Sequence, residues 1–289
     1  MHYEGIVIRP PSESQSILLQ ATLGCSHNKC TFCGTYKGQR FKIKSDEIIN
    51  ADIDFASQYG RRQNRLFICD GDALIIPQPR LLSILKQIQK KLPWIERVGS
   101  YANTKSLSLK TDDELKELKE HGLDILYMGL ESGDDITLER IHKGADAQKM
   151  IAMGKKARNS GMKLSVTVLL GIAGQERSDV HARETGRVLS EIDPEYVGAL
   201  SLMLIPGTPL YTDYESGKFV LLNAEQMLRE LKTMIVHTEL SNGRFHANHA
   251  SNYLPIKATF PKDKPKTIES IDKALKGQIA LKPEFLRAL

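Results

Sequence analysis

At 289 residues, 41% hydrophobic and 26% charged, the chain has the size and composition of one large globular domain with a full core, or of one domain with a modest appendage. Its net charge of +5 is mild and acidic residues are interspersed throughout, so nucleic-acid binding is not the favoured reading. No apolar run approaches the roughly 18 residues that span a bilayer, and the start, with Glu4 and Arg9 close to Pro10 and Pro11, lacks the apolar core of a secretory signal; a cytoplasmic protein with no membrane partner is expected.

After a lead-in over residues 1–15, short apolar runs alternate with longer helical patterns, the signature of repeated strand–helix units on a parallel sheet. Strands are predicted at 17–23, 65–69, 98–102, 125–130, 164–170 and 197–204. Their apolar character on both faces fits a sheet covered by helices. Ser45 caps a predicted helix to residue 59, and Asp46 and Glu47 suit its first turn. Pro79 precedes an apolar-periodic run to residue 91, and Thr111 with Glu114 spells a capping box for a helix ending near His121. Helices over 147–160 and 178–192 complete the set.

Six such units over residues 16–210 predict an α/β fold: a partial, three-quarter (β6/α6) TIM-like barrel. Past residue 210 the pattern changes. One helix over 224–240, an irregular stretch over 241–265 and a closing helix over 266–281 read as a small, mainly helical C-terminal extension, 211–289, packed on the barrel.

Three of the four cysteines, Cys25, Cys30 and Cys33, lie on one short loop directly after the first strand, where a parallel barrel carries its chemistry. A disulfide framework needs an oxidising compartment and usually a small scaffold, so a metal or cluster site leads. Three thiolates would hold three irons of a cubane and leave the fourth open. Zinc would accept the same thiolates, with His27 or Cys69 as a fourth ligand, giving a zinc-stabilised binding or scaffold protein as the alternative. His27 between two of the cysteines is strained for that role, and Cys69 at a strand end reads as a small buried apolar residue.

Further groups follow later strands. Gly71 and Asp72 end the second, where glycine lets backbone approach a ligand and a carboxylate meets a cationic amine. Glu131 and Ser132 end the fourth, with Lys143 and Gly144 beyond; an anion and a cation together suit a zwitterionic amino-acid ligand. Gly171 and Ile172 end the fifth, in a run of small apolar residues that suits a purine face. The last strand leads into Leu204-Ile205-Pro206-Gly207-Thr208-Pro209-Leu210.

This series, with aromatic Phe32 just before the last loop cysteine, resembles the radical S-adenosylmethionine (SAM) superfamily, in the branch that includes oxygen-independent coproporphyrinogen oxidase and the Elongator catalytic subunit. The chain departs from that pattern twice: four residues, not three, separate Cys25 and Cys30, and Asp70 stands where the family's Gly-Gly-Glu segment begins.

The resemblance implies two cofactors, a [4Fe–4S] cluster on Cys25, Cys30 and Cys33, and SAM. Phe32, Gly71, Asp72, Glu131, Ser132, Lys143, Gly171 and Ile172 then become cofactor-binding positions. It implies reductive cleavage of SAM to a 5′-deoxyadenosyl radical that abstracts hydrogen from a substrate the residues do not name. It also implies an oxygen-sensitive protein and an external one-electron reductant such as flavodoxin or ferredoxin. The segment 244–255, dense in hydrogen-bonding side chains, offers His249 and Tyr253 as catalytic candidates, Tyr253 as a hydrogen donor. The Lys-rich stretch 257–282 is where RNA would be met, but no array of stacking aromatics accompanies it.

Overall fold

The computed structural model describes residues 1–288. In chain order the elements are β1 (Ile17–Leu19), β2 (Thr22–Leu23), β3 (Lys42–Ile43), α1 (Asp46–Tyr59), β4 (Arg65–Ile68), α2 (Gln78–Lys91), β5 (Arg97–Ala102), α3 (Thr104–Ser108), α4 (Asp112–Glu120) and β6 (Leu123–Glu131). They continue as α5 (Asp135–Arg140), α6 (Ala147–Asn159), β7 (Lys163–Leu170), α7 (Gly174–Ile192), β8 (Tyr196–Ser201), α8 (Pro209–Glu215), α9 (Ala224–Val236), β9 (Arg244–Ala247), β10 (Ile256–Thr259) and α10 (Lys264–Leu275). The main sheet has the strand order β1-β4-β5-β6-β7-β8-β9-β10, and β2 pairs with β3 in a small ribbon. The fold is therefore α/β with a mostly parallel sheet, of the partial-barrel class that the alternation of strands and helices predicts.

The chain divides into two compact units, and β6, α6 and β7 each contribute residues to both. The first holds Met1–Asn28, Thr35–Met128 and Met153–Leu164. In it β1, β4 and β5 run parallel, with Ile17 opposite Leu66 and Leu66 opposite Val98. Leu66, Phe67 and Ile68 are all buried, as a strand covered on both faces requires. Ile49, Ile53 and Ala56 of α1 and Leu81, Ile84, Leu85 and Ile88 of α2 supply the cover. The expected caps form: Ser45 Oγ accepts the Ile48 N–H, and Thr111 and Glu114 exchange side chain for backbone in both directions.

The second unit holds Lys29–Gly34, Gly129–Ala152 and the described chain from Ser165 onward. Here β7 and β8 are parallel, with Ser165 opposite Tyr196. Helix α9 lays Met227, Leu228, Leu231, Met234 and Ile235 into the interior and packs on α7 and α10.

Several expectations are corrected. The first predicted strand, 17–23, is broken at Gln20 and Ala21: β1 pairs with β4, whereas Thr22 and Leu23 pair antiparallel with β3. Gln20 is fully buried and its amide donates to Asp70, so its side chain is committed at the break. The last predicted strand, 197–204, ends at Ser201, whose N–H goes to the Ser251 hydroxyl. Helix α9 stops at Val236, four residues early, and α10 stops at Leu275 rather than near residue 281.

The stretch 241–265, expected to be irregular, contains β9 and β10; β9 adds parallel to β8 and β10 pairs antiparallel with β9. These four-residue strands bury only two residues apiece, Phe245 and Ala247, then Ile256 and Ala258, too few for a clear period-2 signal. Phe245 stacks on Phe260 with ring centroids 5.2 Å apart. Replacing Phe245 by Ala is expected to cost about 3–5 kcal/mol in urea unfolding. A loss under ~0.5 kcal/mol, the level of an exposed loop position, would remove these strands from the core.

Candidate active site

Within the first unit the candidate site begins at the turn after β4. Gly71 donates its N–H to the Gly24 carbonyl at 3.1 Å, which seats the loop that opens with Cys25 against this turn. A Cβ on Gly71 would lie 2.7 Å from the Cys25 Cβ and 3.0 Å from the Tyr36 ring, so only glycine fits without displacing the cysteine. Cys25 is a free thiol of intermediate exposure.

On either side of that glycine stand two buried carboxyls. Asp72 Oδ2 accepts from the Ser26 hydroxyl at 2.5 Å and from the Asn103 amide at 2.8 Å. Asp70, held at a positive φ of 71°, accepts from the Gln20 amide at 3.0 Å, and Gln20 is in turn bonded by the buried Lys44 ammonium. The remaining oxygen of each, Oδ1, has no partner with hydrogen-bond geometry among the described residues. Burial pushes both carboxyls up to about 6, against the lowering effect of Ser26 on Asp72 and of Gln20 on Asp70. Such orphaned acceptors are costly, and a cationic donor would satisfy them.

Cys69, just before this pair, is fully buried, and burial pushes its thiol up, as suits a small apolar filler.

In the second unit the other half of the cysteine loop is clamped through its backbone. Thr31 donates its N–H to the Ile141 carbonyl, and its own carbonyl accepts from the Leu210 amide, at 3.0 and 3.1 Å. Gly34 faces Ile205, whose Cγ2 lies 2.7 Å from where a Cβ would stand. The Leu204–Leu210 segment thus serves the loop, and Thr208 caps the following helix with Pro209 at its first position. Cys30 and Cys33 form no disulfide and are of intermediate exposure, as is Phe32. Among the described residues, no three or more His, Cys, Asp or Glu form a group that could hold a metal ion.

The end of β6 carries the expected acid and base together. Glu131 takes a positive φ of 63°, and its carboxylate meets the Lys143 ammonium at 3.0 Å, both side chains only 12–13% exposed. Gly129 leaves the space: a Cβ there would strike the Glu131 carboxylate and come within 2.9 Å of Lys143 Nζ. Ser132 is fully buried; its hydroxyl contacts His181 Nδ1 at 2.8 Å and accepts the Asp134 N–H at 3.0 Å. Gly133 donates to Thr185 Oγ1 at 2.9 Å, and Arg177 grips Asp134 through two hydrogen bonds of 2.7 and 2.8 Å.

At the end of β7, Gly171 takes a positive φ of 81°, and Ile172 beside it is buried. The Gly171 N–H donates to the Glu230 carboxyl of α9 at 2.6 Å.

A family model for the radical SAM superfamily matches residues 19–184, more than half of the chain. The chain belongs to the radical SAM superfamily. It is 26% identical to an uncharacterized Methanocaldococcus jannaschii protein, MJ0486, over 74% of this chain and 69% of that one. It is 23% identical to the heme chaperone HemW of Bacillus subtilis, over 79% of this chain and 61% of HemW. The solved structure of the Escherichia coli coproporphyrinogen III oxidase HemN, a radical SAM enzyme, superposes with a TM-score of 0.55 at 15% identity. That likeness, one of fold, covers 76% of this chain and 51% of HemN. The chain thus spans between about half and about two thirds of these proteins' lengths. The resemblance to the superfamily holds, the likeness to coproporphyrinogen oxidase being one of fold, and the protein is an enzyme whose reaction is unassigned.

Against the superfamily pattern, the first unit joins Cys25, Gly71 and Asp72, and the second joins Glu131 with Lys143. The expected roles of His249 and Tyr253 call for open side chains, and the chain occupies both. His249 bonds the Ser251 hydroxyl at 2.9 Å. The Tyr253 hydroxyl donates to Glu284 and accepts from Arg287, both at 2.5 Å, and burial pushes it up to about 12. Of the Lys-rich stretch, Lys264, Lys273 and Lys282 take acceptors of the chain itself. No helix among the described residues is long and apolar enough to cross a membrane.

Sequence reasoning missed Asn103, His181 and Glu230. Asn103 opens the capping box of α3 immediately after β5, a signal readable as Asn-x-x-Ser. Glu230 sits three residues after Met227 and four before Met234, an acid on an apolar helix stripe.

Two outcomes are expected. Lys143→Met strands a nearly buried Glu131 carboxylate and costs about 1–3 kcal/mol. The double variant Glu131→Gln with Lys143→Met recovers most of that loss; strictly additive effects in thermal unfolding would mean the two are uncoupled. The Glu230 carboxyl is pushed by burial from 4.5 up to about 7. A raised carboxyl favours folding below its unfolded value, and that advantage is lost as pH rises through its folded value. Stability should therefore fall by up to about 3 kcal/mol from pH 4.5 to 7.5, and Glu230→Gln should flatten the profile. An unchanged slope in that variant would show the carboxyl is not the source.

Proposed function

We propose that this enzyme reductively cleaves SAM at a [4Fe–4S] cluster held by Cys25, Cys30 and Cys33, within a catalytic barrel over residues 16–210 that carries the extension 211–289. The observation that carries this reading is Asp72, a buried carboxyl held on one oxygen by Ser26 and Asn103 and unpartnered on the other. It lies one residue from the glycine that only a bare backbone could leave open for Cys25. The donor set fits in kind, though not as a preformed group: three part-exposed cysteines on one loop, none in a disulfide, suit cluster irons, and an orphaned carboxylate oxygen suits the amine of an amino-acid ligand.

In this reading Asp72 accepts the SAM amine, with Asp70 adding negative potential beside it. Lys143 turns from Glu131 to the SAM carboxylate, Glu131 is released toward the ribose or amine, and Ser132 fixes the turn that presents them. Gly171 and Ile172 offer backbone and an apolar wall to the adenine, and Phe32 shields the cysteine loop from water. Bound there, cluster and SAM supply one-electron cleavage of the S–C5′ bond and a radical able to take hydrogen from a substrate. The electron comes from an external reductant such as flavodoxin or ferredoxin.

Anaerobic purification should give a brown protein with about four irons and four sulfides per chain that releases 5′-deoxyadenosine with dithionite. The triple variant Cys25→Ala, Cys30→Ala, Cys33→Ala should lose iron and release. Asp72→Asn should keep iron while raising the KM for SAM at least tenfold. A colourless wild-type protein carrying about one zinc and no SAM affinity would instead establish a zinc-stabilised scaffold.

A further inference from the structure

A buried polar chain links the ends of β6 and β7 and passes through the C-terminal extension. Ser132 Oγ contacts His181 Nδ1 at 2.8 Å, and Thr185 Oγ1 contacts it at 3.3 Å. Both hydroxyls accept a backbone N–H, from Asp134 and Gly133, and each still has a lone pair and its own hydrogen for the ring. Nδ1 is thus taken up by these hydroxyls, and the ring's other nitrogen is Nε2. That nitrogen faces Glu230 Oε1 at 3.5 Å, too long for a normal hydrogen bond. Burial depresses the imidazole to about 4 and raises the carboxyl to about 7, so the contact is not an ion pair near neutral pH.

Glu230 itself is firmly placed. Its Oε1 accepts the Gly171 N–H at 2.6 Å and its Oε2 accepts the Ser178 hydroxyl at 2.5 Å. Side chains of His181 and Glu230 are both completely buried, so neither group meets substrate or solvent. Hydroxyl, imidazole and carboxyl are also the parts of a hydrolytic triad, but Ser132 is fully buried and its hydroxyl has no access for an acyl group. Apart from the Ser178 hydroxyl, the groups this chain reaches among the described residues are backbone: the Ser132–Asp134 turn and the Gly171 amide. Both are strand-end positions that the proposed function assigns to SAM. Met227, three residues before Glu230 on α9, fills the space a side chain at Gly171 would need.

We infer that Glu230 and His181 are positioning residues which fix the β6 and β7 ends for SAM, making helix α9 of the extension a required part of the cofactor site. The inference rests on the proposed SAM reading. The physical reason is that Gly171, at positive φ, has no side chain of its own to anchor its peptide; a buried acceptor on a well-packed helix supplies the restraint. A site on such a rigid second layer keeps the peptide orientation that an adenine contact needs.

Amide exchange at Gly171 and SAM-cleavage kinetics of the reconstituted enzyme, measured on the same variants, test this. Glu230→Ala should speed Gly171 exchange at least tenfold in the protein without SAM, and raise the KM for SAM about tenfold with kcat within threefold. Glu230→Gln keeps an acceptor oxygen and should restore both to near wild type. Glu230→Asp, one methylene shorter, should fall with Ala in both readouts and carries the test should Glu230→Ala not fold. Unchanged KM in variants that cleave SAM, or equal damage from Gln and Ala, would overturn the inference. A wild-type protein that does not cleave SAM defeats the proposed function instead, and the exchange at Gly171 then still decides whether Glu230 holds that peptide.

Discussion

A carboxyl taken out of water at the end of a strand is the constraint on which both halves of this molecule turn. Removing a carboxylate from water costs several kcal/mol unless donors replace the solvent, or unless the group takes up a proton. Asp70 and Asp72 after β4, and Glu230 beneath the end of β7, all face that cost, and burial raises all three. Each is met by donors from elsewhere in the sequence: Gln20 for Asp70, Ser26 and Asn103 for Asp72, Gly171 and Ser178 for Glu230. The loops at the strand ends are therefore not free to wander, because releasing any of them would strand a buried charge.

The two kinds of carboxyl differ in what they leave over. Glu230 has both oxygens occupied, so its work is internal, holding a peptide. Asp70 and Asp72 each retain an oxygen without a donor. A buried carboxyl with donors on one oxygen only keeps acceptor capacity on the other. Gly71 between them serves the same end by steric means, since its missing side chain is the space where Cys25 sits.

Pairing of opposite charges repeats the theme at the end of β6. Glu131 and Lys143 neutralise each other at 3.0 Å while nearly buried, and each is the type of group that would bind one end of a zwitterion. An internal ion pair of this kind lowers the cost of holding both charges away from water. The strained backbone of Glu131, at φ 63°, is the local cost of aiming that carboxylate at Lys143.

Much of this was legible in the residues. Apolar runs and caps located six of the parallel strands and the principal helices, since period and capping are local properties of the chain. The cysteine spacing, the Gly71–Asp72 pair and the Glu131…Lys143 pair stood out because chemistry-bearing residues fell after successive strands. Tertiary structure alone decided the rest. Strands β9 and β10 form only because a sheet edge is there to accept Phe245 and Ile256. His249 and Tyr253 read as catalytic candidates in sequence, and the structure pairs them with Ser251, Glu284 and Arg287; such pairings leave no periodic trace in the chain. Likewise nothing local announces that Glu230 holds Gly171, 59 residues away. The sequence by itself determined which residues carry chemistry and the order in which the strands present them; folding decided which of those residues are taken up by one another, because burial and hydrogen-bond partnership are properties of neighbours in space.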